Sequence, residues 1–341
     1  MIRTAVIGCG YWGPNLIRNI HDEPRASVRY VCDTNPARLE AIARRYPAIK
    51  AIRNYRDVLA DKEVDAVFVA TPVDTHFPIA QAALRAGKHV LVEKPLTDSS
   101  AGARKLIALA KRNRLTLMVD HTFLFTSAVE KMKEIVTSGV LGEIYYIDSV
   151  RVNLGLFQHD INVVWDLGPH DISIANHILG RAPKRVSAVG ASHISKRTED
   201  VAYVTLYYPG HLLAHFHVNW LAPVKVRQML VGGSQKMMLW NDIEPSEKIK
   251  VYDSGVTVRP LPDGRPDKGE IYKTLIQYRT GDMYAPRLEN VEALSRVVSH
   301  FFDCIESGRQ PLTNGHVGLE VIRVLEAADR SMKMRGEAVA L

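Results

Sequence analysis

Residues 3–13 read R-T-A-V-I-G-C-G-Y-W-G, an apolar run from Thr4 to Ile7 that flows into Gly8-x-Gly10-x-x-Gly13. That is the order of a strand, a tight turn and a helix start. In such a turn the first glycine permits the bend, the second lets backbone approach a pyrophosphate, and the third lets helix pack closely on strand. Phosphate oxygens would meet unpaired N–H groups at the positive end of the helix. A second apolar run, Val28 to Cys32, ends in Asp33. Its spacing fits an acid that accepts a ribose hydroxyl about 20 residues after the glycines. Glycine-rich turns are common, so a plain strand–turn–helix is the alternative, but the combination predicts a dinucleotide site. Gly8, Gly10 and Gly13 would hold the pyrophosphate, with Tyr11, Trp12, Asp33 and Thr34 also at the cofactor and Arg38 placed to stack on adenine or meet a phosphate. The carboxylate of Asp33 favours NAD over NADP, because it repels a 2′-phosphate.

Working outward, strands and helices alternate as far as about residue 120. Pro14 opens a helix with an apolar face of Leu16, Ile17 and Ile20, and Asn35-Pro36 opens another. Asp65 to Ala70 is a continuous apolar strand, as expected when both faces of a parallel sheet are buried. A helix is expected over 76–85, a strand over 89–92, a long helix capped by Asp98 or Ser99, and a last strand over 115–119. This is the pattern of a doubly wound parallel sheet with ligands at the carboxyl ends of its strands. After Asp120 the pattern changes. One helix near 127–137 is followed by alternating runs between 144 and 240, which suggest antiparallel strands with one buried face. The stretch from Pro245 to Lys268 reads as loop and weak strand, and helices return over 288–306 and 316–333. The expectation is an α/β domain over 1–120 and an α+β domain over 121–341 on an open, mostly antiparallel sheet. Its C-terminal helices are free to pack back on the first domain. The outer face of that sheet could support a homo-oligomer, a dimer or tetramer.

The 341 residues suit two domains, and no apolar run approaches the ~20 residues of a membrane span. The N-terminus reads as a strand rather than a signal peptide. Cys9, Cys32 and Cys304 have neither disulfide nor zinc spacing, so a reduced, cytoplasmic setting without a metal is expected. The net charge of +7 is scattered, with no aromatic-interleaved basic stripe, which argues against nucleic acid.

Three further segments carry candidate chemistry. Glu93-Lys94-Pro95 lies at a strand end, where a lysine can point its ammonium at a substrate hydroxyl or stand exposed in a loop. Trp165-Asp166-Leu-Gly-Pro-His170-Asp171 runs into an apolar helix, with Asp166 and His170 four apart and so on one face. A histidine can accept a proton and a carboxylate can hold its ring, or Asp166 can simply cap the helix. Thr71-Pro72-Val-Asp-Thr-His76 ends another strand and could contact the cofactor, although Asp74 or Thr75 could equally cap the next helix.

In this order, the glycine turn, Glu93-Lys94-Pro95 and Asp166-x-x-x-His170 resemble the glucose–fructose oxidoreductase/inositol dehydrogenase/rhizopine catabolism (Gfo/Idh/MocA) family over nearly the whole chain. The resemblance implies a Rossmann domain binding NAD and a sheet-rich substrate domain. It also implies a dehydrogenase acting on a secondary alcohol of a sugar, cyclitol or nucleotide sugar. Lys94, His170 and Asp166 become the catalytic candidates, with Glu93, Thr71, Pro72 and His76 beside the cofactor. His121, Phe123, Asn153, Trp165 and Tyr278 join Lys94, Asp166 and His170 as substrate contacts. Gly10-Tyr-Trp-Gly-Pro-Asn15, Arg151-Val-Asn153-Leu-Gly155 and Arg279-Thr-Gly-Asp282 look like a subgroup of lipid A and surface-polysaccharide synthesis. Its members include UDP-N-acetylglucosamine (UDP-GlcNAc) 3-dehydrogenases, whose 3-keto product passes to a pyridoxal-phosphate (PLP) aminotransferase. A dehydrogenase of inositol or a free sugar shares the same groups. A non-catalytic NAD-binding sensor would lack the lysine and the histidine.

Overall fold

The computed structural model describes residues 1–155, 157, 161–195, 198–258 and 276–341. Part of the predicted loop of 245–268 therefore lies outside the described residues. The chain divides into two compact units. One comprises Met1–Thr126 and Asn290–Glu326, the other Ser127–Glu289 and Ala327–Leu341.

The first unit is built on six parallel strands: β1 (Ile2–Ile7), β2 (Ala26–Cys32), β3 (Lys50–Ile52), β4 (Ala66–Val69), β5 (His89–Glu93) and β6 (Leu117–Asp120). Their order is β3-β2-β1-β4-β5-β6. The reversal of direction at β1 puts the switch point of a doubly wound sheet beside the glycine turn. The helices between strands are α1 (Gly13–Asp22), α2 (Pro36–Arg45), α3 (Tyr55–Ala60), α4 (Val73–Arg85) and α5 (Ser100–Asn113). β4 is wholly buried, as its unbroken apolar run requires. Ser99 caps α5 by accepting from Gly102 N. The helix α4 starts at Val73 rather than His76, because Pro72 occupies its N-cap and Asp74 and Thr75 lie in its first turn. Thr313 covers the outer edge of β6: its carbonyl accepts from Val119 N at 2.8 Å and its hydroxyl donates to Val119 O at 2.7 Å. Phe301, on the helix α8 (Ala293–Ser307), meets Phe68 edge-on at 5.3 Å.

In the second unit the helices α6 (Ser127–Thr137) and α7 (Val163–Leu179) accompany a nine-stranded sheet. Its strands are β7 (Ile144–Leu154), β8 (Arg185–Ala191), β9 (Val201–Tyr207), β10 (Leu213–Asn219), β11 (Leu221–Gly233), β12 (Met237–Asn241), β13 (Ile249–Tyr252), β16 (Met283–Tyr284) and β17 (Val339–Ala340). A separate ribbon pairs β14 (Gly255–Val258) with β15 (Ile276–Arg279). The last helix, α9, spans Gly315–Lys333. Along β10, Ala214, Phe216 and Val218 are buried and alternate with partly exposed neighbours. Phe216 and Trp220 are core residues, as their alternation predicts. One pairing departs from the antiparallel expectation: β10 runs parallel to β7. Alternation records which face is buried but not strand direction.

Candidate active site

Three glycines shape the turn after β1, each for a different steric reason. Gly8 sits at φ +99, and a Cβ there would lie 2.3 Å from Ala70 O. A Cβ on Gly13 would lie 2.0 Å from Gly8 O, so only a bare α-carbon lets α1 start this close to the strand. At Gly10 the added atom meets only Arg38 Nη1, at 3.8 Å. Space is therefore left open at the middle glycine, as the motif requires if backbone is to approach a phosphate there. No side chain caps α1; Pro14 has no N–H and Asn15 N already donates to Trp12 O at 2.9 Å, so Gly13 N is the donor this end of the helix can offer a phosphate.

Asp33 is buried at the end of β2 and fixed by backbone. Oδ2 accepts from Cys9 N at 2.7 Å and Oδ1 from Asn35 N at 2.8 Å. Each carboxylate oxygen keeps a lone pair for a ribose hydroxyl. Arg38 Nη1 lies 3.5 Å from Asp33 Oδ2, on a half-exposed side chain. Burial pushes the Cys9 thiol up to about 12, which makes it an inert packing group in this turn.

At the ends of β5 and β6, Glu93 and Asp120 are register partners. Asp120 accepts from Trp12 Nε1 at 3.0 Å and from Thr122 Oγ1 at 2.6 Å, fixing the indole at the start of α1. Glu93 Oε1 is buried with no hydrogen-bond partner. That burial, with the Asp120 carboxylate beside it, raises Glu93 well above the usual carboxylate range. The Lys94–Pro95 peptide is cis. His121 is 1% exposed, and neither ring nitrogen has a hydrogen-bond partner. Burial, and then the Lys94 ammonium, pulls its pKa down to about 3, so the ring is neutral. Phe123 follows on a single 3-10 turn, Thr122–Phe125.

His76, expected beside the cofactor, packs between the loops after β4 and β5. It is fully buried, with Nδ1 2.8 Å from Pro95 O and Nε2 2.8 Å from Thr71 O. Both nitrogens are spent tying the loops after β4 and β5 together. Thr71 is partly open and Pro72 exposed, and Thr75 Oγ1 reaches Thr71 Oγ1 at 2.7 Å. Tyr11 is 85% exposed, and Thr34 is also exposed.

In the second unit, Asp166 and His170 share α7. The helix begins at Val163, ahead of Asp166, because the Asn162 side chain rather than Asp166 caps it, accepting from Val164 N and Trp165 N. Pro169 is consequently an interior residue, not a first-turn one. Asp166 Oδ2 accepts from Trp220 Nε1 at 3.0 Å. Arg151 grips the next acid along, Asp171, from β7 with Nε–Oδ2 of 2.8 Å and Nη2–Oδ1 of 3.0 Å. Trp165, an expected substrate contact, is tied into the interior of this unit. It is buried, and its indole N–H meets Asp329 Oδ2 at 2.8 Å, while Asn162 Nδ2 takes the other oxygen at 3.0 Å. Asn153 is partly exposed near the end of β7. Tyr278 is 84% exposed on the ribbon. Its neighbour Arg279 is a bracket, donating to Asp253 Oδ1 at 3.0 Å and to Gln235 O.

The sequence reading missed Asp120, Arg151, Asp171 and Trp220. Only Asp120, an acid ending an apolar strand, carried a local signal. Among the described residues no group of three or more His, Cys, Asp or Glu could hold a metal, and no helix is long and apolar enough to cross a membrane.

Known proteins share this arrangement. The family model described as "Oxidoreductase family, NAD-binding Rossmann fold" matches residues 2–121, and the Gfo/Idh/MocA C-terminal domain model matches 129–238. A solved structure from Magnetospirillum magnetotacticum is 30% identical, covers 96% of this chain and 99% of its own, and superposes with a TM-score of 0.80. UDP-N-acetylglucosamine 3-dehydrogenase of Acidithiobacillus ferrooxidans is 26% identical over 94% of each chain. Myo-inositol 2-dehydrogenase of Thermotoga maritima is 24% identical over 97% of this chain and 96% of its own. With both domain models matched in order and the glycine cradle sterically suited to a dinucleotide, the chain is an NAD-dependent oxidoreductase and belongs to the Gfo/Idh/MocA family.

Proposed function

We propose that the protein oxidises a ring hydroxyl of a UDP-N-acetylhexosamine, most specifically C3 of UDP-N-acetylglucosamine, to a 3-keto sugar nucleotide. Two things support this reading: the Acidithiobacillus relative aligns over nearly its whole length, and this chain carries both Lys94 and His170. The observation that carries it is His170, placed on a helix pinned by the buried Arg151–Asp171 pair and by the Trp220–Asp166 bond, with Asp166 one turn before it.

Bound NAD supplies the hydride acceptor. The backbone of Gly8, Gly10 and Gly13 would hold its pyrophosphate, and Asp33 its adenosine ribose. His170 accepts the hydroxyl proton as the carbinol carbon is oxidised, a contribution of about 10²–10⁴ in rate. Lys94 hydrogen-bonds the same oxygen and keeps it oriented. Asp166, already holding Trp220, steadies the turn below His170 or takes a neighbouring sugar hydroxyl. The reading requires Lys94 and His170 to converge on one carbinol. A 3-keto product would suit a PLP aminotransferase, and the sheet of the second unit would serve a homo-oligomer.

The second reading, a dehydrogenase of inositol or a free sugar, is favoured by the Thermotoga relative. Absorbance at 340 nm separates the two. NAD-loaded protein offered UDP-hexosamines, myo-inositol and free hexoses should form NADH with UDP-N-acetylglucosamine. NADH from inositol alone would overturn the nucleotide-sugar reading.

A further inference from the structure

We propose that the buried Arg151–Asp171 ion pair is a positioning device for His170, fixing the direction in which α7 presents that imidazole. The inference rests on the catalytic reading of His170 for its importance, but not for its geometry.

The turn carrying His170 is poorly held by the helix itself. Pro169 has no N–H to give to Trp165 O, and its ring presses on that carbonyl. Gly168, just before it, adds backbone freedom. The residue immediately after His170 is then gripped from outside the helix. Arg151 holds Asp171 through two parallel bonds, with side chains 3% and 2% exposed. A two-bond fork fixes rotation as well as distance. Neighbouring residues on a helix point about 100° apart, so locking Asp171 onto β7 sets the bearing of His170. Ser173 Oγ donates to His170 O at 2.8 Å and steadies the same turn from its C-terminal side.

The competing view is that the pair only glues helix to sheet. Energetics weigh against it. Two charges lose much hydration when buried, and apolar side chains of similar volume often serve stability as well or better. What a charged fork offers beyond an apolar contact is a fixed angle.

The full-length double variant Arg151→Met/Asp171→Leu separates the two views. With isotope-labelled histidine, the ring Cε1–H signal of His170 is assigned by its disappearance in His170→Asn. The expected result is a melting temperature within about 3 °C of wild type. NADH affinity should also be retained, with the His170 signal moved or broadened and the other histidine signals in place. Turnover of UDP-N-acetylglucosamine should fall about tenfold or more at unchanged KM for NAD, as expected for a misdirected base. A stable double variant with an unmoved His170 signal overturns the proposal. Should that variant not fold, Arg151→Lys, which keeps the charge and loses the fork, decides on the same signal. A fully active His170→Asn would remove the catalytic reading and leave the positioning result to stand or fall on the spectrum.

Discussion

The glycine turn of the first unit and helix α7 of the second hold their functional groups by different means. In the turn, geometry comes from what is absent. No side chain fits at Gly8 or Gly13, and open space remains at Gly10. On α7, geometry comes from polar pairs: Asn162 and Trp165 with Asp329 and Asp166 with Trp220, all half-buried, and the fully buried Asp171 with Arg151. A dinucleotide's phosphates need only backbone donors, which a short local motif can supply. A proton acceptor must be aimed, and aiming draws on residues far away in the chain.

Several changes would break or sharpen that contrast. The largest effect is expected at Asp171→Ala, which strands a buried guanidinium and should cost about 3–5 kcal/mol in denaturant unfolding. A loss under about 1 kcal/mol would mean that the fork is not what pins the helix. Next, Gly13→Ala forces a Cβ to within 2.0 Å of Gly8 O. It should cost roughly 3 kcal/mol and abolish NADH binding in a fluorescence titration. Gly10→Ala is the control, since its Cβ meets only Arg38 Nη1. It should leave stability within about 1 kcal/mol yet weaken NADH tenfold or more. Unchanged NADH affinity in that variant would relocate the pyrophosphate.

A smaller effect should appear in acid. The pKa of His121 is lowered to about 3 by burial. Below its unfolded value of about 6.5 the unfolded chain takes up a proton that the folded ring refuses. Stability is therefore lost as pH falls from about 6.5 towards 3, by up to about 1.4 kcal/mol per pH unit from this group. His121→Phe should flatten that acid limb; an unchanged slope would mean that the ring finds a partner or titrates normally. Smallest is Trp220→Phe, which removes the N–H donated to Asp166 and should cost about 1 kcal/mol.

The same contrast explains what could be read before any coordinates. The glycine turn, Asp33 and the alternation of strands and helices are local and were legible. Each answers a steric or burial demand met within a few residues or one strand spacing. An Asn162 cap looks, in sequence, like any loop asparagine, so Asp166 reads as an equally good cap for α7. Arg151 and Asp171 lie 20 residues apart, on a strand and a helix, and nothing in either segment announces the other. Trp165 looked like a substrate contact because it neighbours Asp166. Its partner Asp329 is 164 residues away. The parallel pairing of β10 with β7 was equally hidden, since period-two alternation is the same in either direction.

The central claim is that Lys94 and His170 both take part in oxidising the sugar hydroxyl. It is tested most directly by single-turnover NADH formation with UDP-N-acetylglucosamine in Lys94→Ala and His170→Ala, alongside NADH titration of each variant. The account predicts wild-type NADH affinity in both, with the chemical step slowed about 10²–10⁴-fold. A near-normal rate in either variant would contradict it.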